Sequence, residues 1–164
     1  MRSPAIRTVR ILIITIMTAD VSLAGLDAKK AEYIGGTVSA IPANTEALLD
    51  LSGESAVDFK WKSGNWGIPY TSVTSLEYGQ HVGRRVGAAV GTALVLGVFA
   101  LPILLSKKRR HYLTIGFTDS DGKAQAAIFE IGKDAIRTSL TVLETRTGKK
   151  IEYKDDEARK AGTK

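Results

Sequence analysis

The chain has 164 residues, 44% of them hydrophobic and 24% charged, with a formal net charge of +6. That is enough for one modest domain with accessory segments. It contains no cysteine, which excludes disulfides, thiolate metal centres and cysteine nucleophiles and leaves the redox compartment open. A mild positive balance suits an anionic lipid surface, and by charge alone nucleic acid as well.

The amino terminus opens with Arg2, Arg7 and Arg10, continues with the short apolar run Ile11–Met17, and reaches small residues at Ser22 and Ala24. Basic, apolar and small-residue regions in that order read as a cleaved secretory signal over residues 1–24. The run is too short to span a bilayer and Asp20 stops its extension. An uncleaved anchor or a buried helix are the competing readings. Cleavage takes three arginines and one aspartate and leaves +4. Export places Gly25 onward outside a bacterial cytoplasm, with the periplasmic face of the cell envelope favoured.

Residues 25–153 read as a single domain of short strands. Leu26–Glu32 is a polar lead-in, and Tyr33–Ile41 is a strand whose Gly35-Gly36 pair predicts a bulge or close backbone approach. Pro42-Ala43-Asn44 turns the chain, Ala47–Leu51 is a second strand, and Ser52-Gly53-Glu54 turns it again. Val57, Phe59 and Trp61 then alternate with Asp58, Lys60 and Lys62, as in a half-buried strand with one wet face. After the Ser63-Gly64-Asn65 turn comes Trp66–Gly79, within which Ile68-Pro69-Tyr70, Val73 and Leu76-Glu77-Tyr78 stand out.

That last segment resembles the I-P-Y-x-x-I-x-x-(I/L)-E stretch of bacterial pleckstrin-homology-like domains, where one strand ends, a short turn follows and the next strand begins. The resemblance implies a curved antiparallel β-sandwich or barrel capped by one C-terminal helix. It also implies binding of lipids, peptides or proteins without enzymatic activity or cofactor. The phosphoinositide-binding basic motif of eukaryotic members is not recognisable here.

Residues 82–106 interrupt this domain. Val86–Leu105 holds twenty residues without a charged side chain, about 30 Å as a helix and so about the thickness of a bilayer's hydrocarbon core. Val86, Leu94, Leu96, Val98, Phe99, Leu101, Ile103 and Leu104 are the expected membrane-inserting side chains. Gly83, Gly87 and Gly91 recur every four residues and form a small-residue stripe suited to close helix packing, either with a partner or with a second copy. Frequent glycine in membrane helices accounts for the same spacing. Arg84 and Arg85 before the run, and Lys107, Lys108, Arg109 and Arg110 after it, are expected to contact lipid headgroups. No aromatic stacking platform accompanies them, so nucleic acid is not an expected partner. His81 and His111 bracket the insertion without further ligands nearby, and no metal site is read there.

Tyr112–Thr118 and Ala126–Ile131 make a hairpin about Asp119-Ser120-Asp121-Gly122. That turn lacks the later ligands of a calcium loop. Lys133–Thr147 reads as an amphipathic helix with Ile136, Leu140, Leu143 and Thr147 on one face, stopped by Gly148. Arg137 and Arg146 are expected to be solvated. Ile151–Tyr153 adds a short strand, and 154–164 is expected to be a charged flexible tail.

These readings conflict on one point. A single membrane span puts its flanks on opposite sides, so strands before Gly79 and after Arg110 could not share a sheet. One shared sheet instead requires an apolar segment that leaves and returns on the same side. The second arrangement is favoured, because neither half alone has the strands for a stable fold. The expected function is a membrane-associated binding or scaffold module with lipid and an unknown protein, possibly itself, as partners. The alternative is an oligomerising membrane protein assembled through the glycine stripe. No nucleophile elbow, phosphate loop or paired carboxylates suggest an enzyme.

Overall fold

Alternating apolar side chains, punctuated by glycine-containing turns, generate eight strands in the computed structural model, which describes residues 28–80 and 110–163. They are β1 (Lys29–Gly36), β2 (Thr45–Asp50), β3 (Ala56–Trp61), β4 (Gly64–Pro69), β5 (Val73–Gly79), β6 (Tyr112–Thr118), β7 (Ala124–Ile131) and β8 (Ile151–Tyr153). A 3-10 turn, Tyr70–Ser72, joins β4 to β5, and two helices, α1 (Ile136–Thr147) and α2 (Asp156–Thr163), flank β8. One mixed sheet runs in the order β4-β3-β2-β1-β7-β6-β5-β8. Neighbours are antiparallel except β5 and β8, which pair in parallel through Leu76–Ile151 and Tyr78–Tyr153.

The sheet is rolled. Neighbouring strands lie about 4.8 Å apart, so five steps across a flat sheet would separate β4 from β6 by about 24 Å. Yet Trp66 of β4 meets Phe117 of β6 edge-on at 5.5 Å, and Phe59 of β3 stacks on Phe129 of β7 at 3.8 Å. The concave face thus closes over the aromatic core, while β4 and β8 remain edges with no ladder between them. Leu76, Tyr78, Leu113, Ile115 and Phe129 join that core, and α1 and α2 pack on the same side through Ile136, Leu140, Leu143 and Ala158.

The second face of the central strands is also buried. Ile34, Tyr112, Thr114, Ala126 and Ile128 are all buried. The register puts Thr114 opposite Ile128 and Gly116 opposite Ala126, on the side away from Leu113, Ile115 and Phe129. None of these buried second-face side chains belongs to the core cluster.

Mainly β architecture was expected and is found, with several corrections. The sheet is mixed rather than antiparallel, because β8 follows a helical crossover and returns alongside β5. β1 starts at Lys29, inside the expected polar lead-in: Lys29 pairs with Leu49 and Ala31 with Ile131, and this long-range pairing overrides local polarity. α1 starts at Ile136 rather than Lys133, because the amide of Ala135 closes a turn onto the Gly132 carbonyl at 3.0 Å. The expected charged tail contains α2, giving two C-terminal helices rather than one. Asp155 accounts for it: its Oδ1 accepts the Ala158 amide at 2.6 Å and its Oδ2 the Gln80 amide at 2.8 Å. Arg146, expected to be solvated, is partly buried; it donates to the Gly53 carbonyl and lies over the Tyr70 ring at 5.4 Å. The Gly35-Gly36 pair does carry the bulge, with the β1–β7 register shifting between Tyr33 and Gly35. Gly148 stops α1 with φ +67.

Candidate functional site

The hairpin between β5 and β6 is where the insertion departs. Gly79 and Tyr112 are cross-strand partners, so the two chain ends bounding 80–111 stand within about 5.5 Å of each other. Hydrogen bonds hold both ends. The Gln80 amide donates to Asp155, and the Ile131 amide donates to the His111 carbonyl at 2.9 Å. His111 also bonds the Tyr78 hydroxyl through Nδ1 at 2.6 Å, and its ring lies nearly parallel to that of Tyr78. Burial lowers the His111 pKa and lifts that of Tyr78 to about 12. The start of β1 lies at this same end, because Ala31 pairs with Ile131.

Of the side chains expected to meet the membrane, Arg110 alone falls among the described residues. Its guanidinium donates to Glu130 Oε2 at 2.6 Å. Val86, Leu94, Leu96, Val98, Phe99, Leu101, Ile103 and Leu104, the glycines Gly83, Gly87 and Gly91, and Arg84, Arg85, Lys107, Lys108 and Arg109 lie outside the described residues, as do His81 and the signal-like segment. Among the described residues no helix is long and apolar enough to cross a membrane.

A groove of about 610 Å³ opens where β1, β2, β3 and the end of β7 meet, within the size range of ligand sites. Register builds it. Lys30, Leu48 and Lys60 form one cross-strand row, and Glu46, Glu32 and Glu130 form the next. Trp61 and Lys62 also line it. Leu48, 41% exposed, is the large hydrophobic side chain left open to solvent among the described residues. Lys60 donates to Asp50 at 2.7 Å, and this bond, with those from Ser52, holds the Asp50 carboxyl down at about 2. Three carboxylates in directly opposed positions repel one another, so this row favours a cationic contact, which Arg110 provides at Glu130. The neighbouring lysine row offers charge of the opposite sign beside an apolar side chain. Such a surface suits a charged, partly apolar segment.

At the far edge, Glu77 is buried at 2% exposure on the second face. Lys154 Nζ lies 3.2 Å from its Oε1 but makes its hydrogen bond to Glu152 at 2.6 Å. Neither Glu77 oxygen has a hydrogen-bond partner among the described residues. Burial raises the Glu77 pKa, and Lys154 only partly offsets it.

The sequence reading did not find this groove. Its rows join residues from distant parts of the chain, Glu32 with Glu130 for instance, and no local pattern announces that pairing. No protein-family model matches the chain, and no curated protein aligns with it significantly.

Proposed function

We propose that this protein is a non-enzymatic, membrane-associated binding or scaffold module of the bacterial cell envelope. One observation carries the reading: Gly79 and Tyr112 pair directly across β5 and β6. A single helical span would separate those residues by about 30 Å. Their pairing favours an apolar segment that leaves and returns on one side, lying in the membrane interface beside the domain. The segment holds the module at the lipid surface, and the rolled sheet offers its charged groove to a protein or lipid partner.

Two features support a pleckstrin-homology-like architecture. The meanders β1–β4 and β5–β7 join through the β1–β7 ladder, and α1 follows the last long strand. The strand, turn and strand about Ile68-Pro69-Tyr70 also follow the order that the resemblance implies.

Flotation with vesicles containing anionic phospholipid tests the membrane reading. The full chain floats with the vesicles, and a variant with Val86–Leu105 replaced by an equal length of Gly and Ser stays behind. A variant that floats as well as its parent overturns the proposal.

A further inference from the structure

Both helices lie on the concave side of the sheet, yet the other face of the central strands β6 and β7 is closed to solvent. Thr114, Ile128 and Ala126 are 4%, 2% and 1% exposed, and Ile34 and Tyr112 are buried with them. No described element provides a layer over them: α1 and α2 are committed to the core through Leu140, Leu143 and Ala158. Apolar side chains on an open sheet face are not hidden by their own strand neighbours, so another stretch of chain must lie over them.

We propose that the occupant of this second face is the chain's own apolar segment, Val86–Leu105. Tether length favours it. Six residues separate Gly79 from Val86 and six separate Leu105 from Tyr112, and six extended residues reach about 20 Å. Gly79 and Tyr112 both belong to the second-face row, as partners of each other and, for Tyr112, of Glu130. The segment is therefore held at both ends beside the face it covers. The amino-terminal apolar run Ile11–Met17 is held at one end only, through eleven intervening residues that include Asp20.

Charge points the same way. Glu46, Glu32 and Glu130 form one carboxylate row on this side of the sheet, and Arg110 already meets Glu130. Lys107, Lys108 and Arg109 precede Arg110 directly and extend that match along the carboxylate row, which leaves the Lys30–Leu48–Lys60 row of the groove to a partner. Glu77 supplies an independent sign. It sits in the row Glu77–Thr114–Ile128 with both carboxylate oxygens lacking a hydrogen bond among the described residues. Its 2% exposure, with Lys154 Nζ 3.2 Å from Oε1, requires a layer over this row just as Thr114 and Ile128 do. A segment seated this way turns its opposite side outward, where lipid meets it, so this inference adds to the membrane reading and stands without it.

The absence of cysteine makes a clean test possible. Single-cysteine variants Thr114→Cys, Leu48→Cys and Ile115→Cys of the full chain are labelled with a maleimide in detergent. Thr114→Cys reacts at least ten-fold more slowly than Leu48→Cys. Replacing Val86–Leu105 with Gly and Ser brings Thr114→Cys to within a few-fold of Leu48→Cys, while Ile115→Cys on the core face stays protected. Protection of Thr114→Cys that survives the replacement overturns the proposal and points to the amino-terminal segment, or to a second copy if it depends on protein concentration. If the replacement exposes Ile115→Cys too, the fold has been lost and a second measurement decides. Thr114→Cys is then paired with single cysteines at positions 88–96 of the otherwise intact chain. An intramolecular disulfide at one or more positions, independent of concentration, upholds the proposal. No crosslink at any position, or crosslinks only between chains, refutes it.

Discussion

Phe59 and Phe129 stack face to face with ring centroids 3.8 Å apart, although two strands stand between β3 and β7 in the sheet. This contact pins the roll of the sheet, and both rings are fully buried. Phe129→Ala should therefore cost about 3–5 kcal/mol, read as a lower denaturation midpoint in urea at unchanged slope. A loss below about 1 kcal/mol would mean that the roll does not rest on this pair.

Gly36 and Gly122 both have positive φ, +142 and +77, but only Gly36 faces neighbours. A Cβ on Gly36 would collide with the Ala126 carbonyl, whereas one on Gly122 meets open space. Gly122→Ala should cost about 1 kcal/mol of backbone strain. Gly36→Ala should cost clearly more, because it also forces β1 away from β7. Equal midpoints for the two variants would contradict the close approach at the bulge.

Glu77 gives the fold a pH dependence of defined sign. Burial raises its folded-state pKa above the unfolded value, so the native state holds the proton more tightly and stability from this group falls as pH rises. Glu77→Gln should therefore be more stable than the parent at pH 7. The difference should shrink as pH drops through the raised folded value and vanish below the ordinary carboxylate range near 4. Paired denaturation curves at pH 4 and pH 7 measure it, and a variant less stable than the parent at pH 7 would show that the ion pair with Lys154 outweighs burial.

Asp155 joins the chain's entry into the insertion to the last helix, accepting amides from both Gln80 and Ala158. Asp155→Ala removes a helix cap and a long-range bond together, at a cost of about 1–2 kcal/mol. Hydrogen exchange should quicken at Arg159, whose amide bonds the Asp155 carbonyl, and at Gln80. Unchanged exchange at Gln80 would contradict the link.

Much of this fold is readable one segment at a time. Val57, Phe59 and Trp61 announce β3 by alternation, Gly35-Gly36 announces the bulge, and Gly148 announces the end of α1, because each signal depends on local backbone geometry or a repeat of two. What escapes local reading is supplied by partners distant in sequence. Lys29–Glu32 looks like a loop until Ile131 and Leu49 are beside it. β8 runs parallel because α1 carries the chain back across the sheet, and three residues cannot declare a direction. α2 is tied to the end of β5 through Asp155, which reaches Gln80, 75 residues away. The groove is hidden for the same reason: Leu48 reads as an ordinary strand apolar residue, and Glu46, Glu32 and Glu130 become one row only through two separate ladders.

The central claim is that the chains entering and leaving the apolar segment stay on one side of the membrane. Protease protection in intact and opened cells tests it, with one epitope tag inserted after Glu54 and another at Lys164. The pairing of Gly79 with Tyr112 predicts that both tags are cleaved, or both protected, together. One tag cleaved and the other protected in intact cells would contradict it, since β5 and β6 could not then share a ladder.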